Sequence, residues 1–313
     1  MIKMTAVKSL RAFKGMTVRN IKVYSKDKIA LLLSMLTQII VLSLFLLFLK
    51  SNYVDVINNS LGELKDLLEQ KDIEAIVNAW LVSGVVGTSV VTASLNALSV
   101  MVHDKMDRLD YDYSAAAVKG STVVFSYFTG AAVSSFAVSA ILLTAGLVFL
   151  LAGGVFLYSF TDILLLYATV LLGSVSATMV LMTFVSFFKK DSTLSAFGIL
   201  VSVAIGFVVG AYMPVSQFSE NVQTVVNLVP GSQITALLRQ SLLQPAIDNA
   251  DKILGGVDNH AFAQSMNDVF SLKLHLFGES YGTAFMLLYS FAAVALFAIL
   301  NIVLFRLASK RSE

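Results

Sequence analysis

The sequence predicts an all-α integral membrane protein with six transmembrane helices, an N-terminal amphipathic interface helix, and re-entrant external helices between spans five and six. Three observations predict it. Only 13% of the residues are charged and 57% are hydrophobic. That is about half the charge of a soluble domain, too little for a water-facing surface and suited to a lipid-facing one. Nearly uncharged runs recur at lengths near the roughly 20 apolar residues a spanning helix needs, and the lysines and arginines gather in alternate loops.

Residues 1–28 carry Lys3, Lys8, Arg11, Lys14, Arg19, Lys22, Lys26 and Lys28 against one acid, Asp27. The long apolar run begins only near Ile29, so the segment reads as a basic cytoplasmic approach and not as a cleavable signal. Val7, Leu10, Phe13, Met16, Ile21 and Tyr24 recur at spacings near three and four. This pattern predicts an amphipathic helix on the inner membrane surface, in preference to a disordered basic tail.

The first span is expected at 29–49 and the second at 80–102, both uncharged. From Ser121 to Phe188 the only charge is Asp162. That stretch suits two helices broken near Gly153-Gly154, at 122–151 and 160–188, tilted because they exceed the bilayer. The fifth span is expected at 193–212 and the sixth at 281–305. Basic residues mark cytoplasmic loops, which places the N-terminus, the Lys189-Lys190 loop and the tail (Arg306, Lys310, Arg311) inside. The outer segments, 50–79 and 213–280, each hold three basic and six acidic residues.

Leu61, Leu64, Leu67 and Leu68 predict a short external helix after the first span. The inner loop at 102–121 is the most polar: His103, Asp104, Lys105, Asp107, Arg108, Asp110, Asp112 and Lys119. Its mixed signs fit a solvated loop or a docking helix, and charge alone does not choose. The prolines, Pro214, Pro230 and Pro245, all follow the fifth span and break helices there. A pair of short helices dipping into the outer leaflet is expected around Pro214, Pro230 and Arg239, with Arg239 anchoring at the interface. Residues 246–279 are expected to form an external cap.

Several chemistries are excluded. There is no cysteine, and His103, His260 and His275 show no metal-ligand spacing. No phosphate-cradling Gly-x-x-x-x-Gly-Lys-Ser/Thr loop occurs, and Gly84 and Gly87 lie within a span, where they read as close helix packing. No ionisable residue lies deep in a span, unlike proton-driven carriers. Energy for transport has to come from outside the chain.

Four stretches resemble the permease subunit of ABC-2 type ATP-binding-cassette exporters, in the family's order. Arg19-Asn20-Ile21-Lys22-Val23-Tyr24-Ser25-Lys26-Asp27 resembles its surface helix and entry to span one. His103-Asp104-Lys105-Met106-Asp107-Arg108-Leu109, then Ala116-Ala117-Val118-Lys119, is similar to its inner loop, with Arg108 near the family's glycine and Ala117 where proline is common. Gly210-Ala211-Tyr212-Met213-Pro214-Val215-Ser216 resembles the segment after span five. Val226-Asn227-Leu228-Val229-Pro230, then Leu238-Arg239, resembles its Asn-Pro element.

The resemblance implies a non-enzymatic transport subunit in a bacterial plasma membrane. Two copies, or this chain and a paralogue, would line the path near spans one, two and five. Separate ATPase subunits would bind ATP and magnesium, with no cofactor in this chain, and push on the inner loop through Asp104, Lys105, Asp107, Arg108 and Lys119. Membrane lipid is the other expected partner, and no nucleic acid is expected. The uncharged spans fit outward transport of a drug, lipid-linked molecule or peptide. A non-transporting membrane scaffold is the alternative, and an ion-coupled carrier is disfavoured by the missing intramembrane charges and repeats.

Overall fold

The computed structural model describes residues 2–116 and 118–310. Ala117, Arg311 and the side chains of Arg306 and Lys310 lie outside the described residues. The chain begins with α1 (Ile2–Lys26), and Asp27 separates it from α2 (Lys28–Leu44). A π-helical stretch, Phe45–Leu49, passes directly into α3 (Lys50–Leu61). Gly62, at φ +55, ends this rod with a conformation that favours glycine. The expected external helix around Leu61–Leu68 is instead a 3-10 segment, Gly62–Leu67, because α3 already carries the first span outward.

Next come α4 (Gln70–Ala97), α5 (Ser99–Met106) and α6 (Leu109–Ala115), then the long α7 (Gly120–Ala152), α8 (Phe160–Val185) and α9 (Asp191–Val208). Ser159 and Asp162 form a capping box at the start of α8. The lone acid of that apolar run therefore has a structural use. Beyond α9 lie α10 (Glu220–Asn227), α11 (Pro230–Leu254), α12 (Ala261–Val269), a hairpin of β1 (Leu274–Leu276) and β2 (Glu279–Tyr281), and α13 (Thr283–Lys310). Pro230 opens α11 at its first turn, where its missing N–H costs nothing. Pro245 sits inside α11 without ending it, so the short helix expected there is one long one.

Among the described residues, six stretches are long and apolar enough to cross a membrane: Ser34–Leu67, Gln70–Met106, Gly120–Ala152, Phe160–Val185, Asp191–Val208 and Thr283–Phe305. The protein is an all-α, multi-pass membrane protein. The starts of α2, α7 and α9 and the ends of α4, α8 and α13 share one end of the bundle, here called basal. The opposite, apical end carries α10–α12.

The second span, α4, is the axis: 83% of its most apolar window is buried, against 17% for α9 and α13. It packs on α2, α7, α8, α9 and α11. Greasy side chains outside the bundle gain nothing by packing in lipid, so small residues and hydrogen bonds hold such helices together. Ser89 donates to Ser139 at 3.0 Å, Ser94 to Ser135 at 2.9 Å, and Thr178 to Ser94 at 3.0 Å, which ties α4 to α7 and α8. Gln38 donates to Thr92 at 2.8 Å and brings in α2. A Cβ on Gly173 would stand 2.6 Å from Ile234 of α11. The second turn of α11 therefore lies about 20 Å along α8 from Phe160, at 1.5 Å per residue. Nearer the apical end, Trp80 meets Tyr53 at 4.6 Å, Phe45 at 5.4 Å and Phe270 at 5.8 Å between ring centroids.

Candidate coupling site

At the basal end the chain leaves α4 through Leu98, forms α5, turns at Asp107-Arg108 and forms α6. Arg108 has φ +60, a left-handed conformation that costs a side-chain-bearing residue about 1–2 kcal/mol.

Three consecutive α5 residues reach four other helices. Successive helical residues point about 100° apart, so the side chains of His103, Asp104 and Lys105 fan out. His103 Nε2 lies 3.0 Å from Asp191 Oδ1 in the first turn of α9. Lys105 Nζ donates to the Ser186 carbonyl at 2.6 Å, at the C-terminus of α8, where the helix dipole favours a cation. Asp104 is buried and accepts from Arg19 of α1 through both guanidinium Nη atoms, and from the Tyr127 hydroxyl of α7 at 2.6 Å. The hydrogen bond with Asp104 raises the Arg19 pKa further above its ordinary value, against the opposing effect of burial. Among the residues expected to meet a partner, Asp104 and Lys105 thus point into the bundle. Met106, Asp107 and Arg108 are exposed at the tip, and Lys119 is exposed just before α7.

A second node lies one turn along α1. Tyr24 and Ser34 hydroxyls are 2.8 Å apart, and Asn96 donates to Ser34 at 2.8 Å. From Ser9 onward, Thr17, Asn20 and Tyr24 are the buried positions of α1. Spaced at three and four, they form one stripe, and α1 packs chiefly on α7, with Asn20 close against Gly130. Of the described side chains on the face expected to lie on the membrane, only Tyr24 is buried, while Leu10 is exposed and Phe13, Met16 and Ile21 are half-buried; it is the polar side, Thr17 and Asn20, that meets protein. The cations Arg11, Lys14, Lys22 and Lys26 are exposed.

At the apical end Gly210, at φ +69, ends the turn after α9, and Pro214 precedes a 3-10 turn, Val215–Gln217. Arg239 is not an interface anchor, since it is 1% exposed. It donates to the carbonyls of Val209 at 2.9 Å, Gly210 at 3.1 Å and Ser271 at 3.4 Å. These carbonyls follow the C-terminal ends of α9 and α12, where orphaned acceptors and the helix dipole suit a cation. Ser232 of α11 also donates to the Val208 carbonyl at 2.9 Å.

The model of the ABC-2 type transporter family matches residues 11–243, about three quarters of the chain. The chain belongs to the ABC-2 type transporter family. No curated protein and no solved structure matches it. The match takes in α1 of this ABC-2 permease from Arg11 onward, both basal nodes and Arg239 with its Val209 and Gly210 acceptors, while the Ser271 carbonyl lies beyond it. The family's membrane domain is a transport component.

Sequence reasoning missed Tyr127, Tyr24, Ser34 and Asn96. Tyr127 reads as a lipid-facing or packing aromatic among Phe125, Phe128 and Phe136. The available signal was its hydroxyl, which needs a partner when buried, and Asp104 of the basal loop supplies it.

Proposed function

We propose that this ABC-2 permease is the membrane-spanning subunit of an ATP-driven exporter in a bacterial plasma membrane, with both termini cytoplasmic. It would work as a pair, with a copy of itself or a paralogue. ATP and magnesium would be bound by separate ATPase subunits beneath the basal end, and a hydrophobic or amphipathic cargo would move outward. The elbow at Pro214 and Pro230, whose α11 tip reaches far along α8, would be a re-entrant element of the outer half.

The observation that carries this reading is the division of labour in α5. Met106, Asp107 and Arg108 face outward, where an ATPase can press. His103, Asp104 and Lys105 are bonded to α9, α1, α7 and α8, so a displaced α5 pulls on all four. Two variants separate the roles when the permease is co-expressed with an ATPase subunit. Asp107→Ala with Arg108→Ala should weaken co-purification of the ATPase. Lys105→Met should leave co-purification intact and reduce cargo-stimulated ATP hydrolysis. A permease that exports cargo alone in liposomes, or an ATPase indifferent to both variants, would sink the proposal.

A further inference from the structure

α1 turns its uncharged polar stripe to the bundle and leaves a cationic side with no protein against it. Arg11, Lys14, Lys22 and Lys26 are exposed, and among the described residues neither Lys22 nor Lys26 forms an ion pair with an acid. Along this side runs a groove of about 340 Å³ lined by Gly15, Val18, Arg19, Lys22, Val23 and Lys26. Gly15 leaves a notch, since a Cβ there would meet nothing within 4 Å. Val18 and Val23 give the groove an apolar floor between the lysines. Three residues beyond Lys26, α2 begins to present Ile29, Leu32 and Leu36, at 71%, 68% and 46% exposure. A row of cations thus passes directly into an apolar stripe.

We propose that this groove binds an anionic phospholipid of the inner leaflet. The phosphate would lie between Lys22 and Lys26, and the acyl chains would run along Ile29, Leu32 and Leu36. Charge selects an anion, and the adjoining greasy stripe selects one that carries hydrocarbon. Arg19, 36% exposed at its side chain, lines the groove on one side and grips Asp104 on the other. The headgroup therefore rests against the link between α1 and α5. The proposal rests on the cytoplasmic placement of α1 in the functional reading above, and on no other part of it.

The test uses the full chain in detergent with no ATPase and no cargo present. Native mass spectrometry would compare retention of phosphatidylglycerol with phosphatidylcholine, for the wild type and for Lys22→Gln/Lys26→Gln. A polybasic contact changes affinity by about fivefold per charge, so the double variant should lose on the order of twentyfold for phosphatidylglycerol and nothing for phosphatidylcholine. Both lysines are exposed, so the lipid-free melting midpoint should not move. Equal retention of the two lipids, or a double variant that binds as the wild type does, overturns the proposal. So does displacement by inorganic phosphate at equal concentration, which would make this a free-anion site, or loss of a co-expressed ATPase from the double variant with lipid retention unchanged, which would make it a protein contact. Ser25→Cys, probed with an impermeant maleimide in cells, separates the two readings. External labelling defeats the topology itself, whereas protection without lipid preference defeats this inference alone.

Discussion

The Arg19–Asp104–Tyr127 clamp allows an asymmetric prediction. Replacing Arg19 with Met leaves behind a carboxylate whose side chain is 6% exposed, held by the hydroxyls of Tyr127 and Tyr113 with no cation against it. Stranding a buried charge costs about 3–5 kcal/mol. Replacing Asp104 with Asn strands the guanidinium instead, but Arg19 is 36% exposed and can turn to water. The amide can still accept from Tyr127. That loss should be discounted to about 1–2 kcal/mol. The double variant should be more stable than the sum of the singles implies, by about 1–3 kcal/mol, because the partners no longer strand each other. Trp80 is the sole tryptophan and is buried in the aromatic cluster, so its emission during heating in detergent reports unfolding directly. The expected order of midpoints is wild type, Asp104→Asn, then Arg19→Met. Asp104→Asn as damaging as Arg19→Met, or strict additivity in the double variant, would refute the argument. Arg19's raised pKa implies a contribution that is complete below its ordinary value and lost only as pH climbs through the raised one. The clamp therefore adds no alkaline slope at any pH where the protein can be studied.

Arg108→Gly should stabilise the protein by up to about 1 kcal/mol, since glycine takes the φ +60 conformation without a steric penalty but loses more backbone entropy on folding; a lowered melting midpoint would contradict this. Gly173→Ala should destabilise by about 1–3 kcal/mol through the clash with Ile234, outweighing the roughly 1 kcal/mol gain in helix propensity, and a stabilised variant would mean the α8–α11 contact yields easily. Arg239→Met should leave the Val209, Gly210 and Ser271 carbonyls without their donor, at about 1–3 kcal/mol for each one left buried and unsatisfied. Hydrogen–deuterium exchange should then rise at 209–217 and 269–273 and stay unchanged at the basal end.

The all-helical membrane fold was legible because hydropathy reports what the bilayer demands of each stretch, and it needs no tertiary information. Features set by side-chain partners were not. The residues of α5 read as one polar loop because charge counts do not record direction, and a 100° turn separates a buried Asp104 from an outward Asp107. Arg239 reads as an interface anchor because carbonyl oxygens, the only acceptors it uses, leave no mark in a sequence. The length of α11 was hidden by Pro245. Proline usually signals a break, yet here packing on α4, α8 and α13 carries the helix through it. The polar stripe of α1 was obscured for a similar reason. Thr17 and Asn20 look like the solvent side of an amphipathic helix until Gly130 and Ser126 of α7 are seen to face it.

The least buried spans suggest where motion is cheapest. α9 is held by packing mainly to α4 and α5, and most of its surface faces away from the bundle. Besides the ring contacts of Phe197 with Phe184 and Phe188, its polar ties lie at its two ends: His103 on Asp191 at the basal end, and Arg239 on Val209 and Gly210 at the apical end. The apical tie is a buried fork of donors anchored in α11, whereas the basal tie is one exposed contact to α5. A helix pinned firmly at one end and lightly at the other pivots about the firm end. A small displacement of α5 would therefore become a larger sweep along α9 than along α8, whose Lys105 contact is backed by packing on α4, α7, α11 and α13. The apolar crevice between α8 and α9, lined by Ala177, Leu181, Phe197 and Val201 and closed near Pro230, lies where such a sweep would part the two helices.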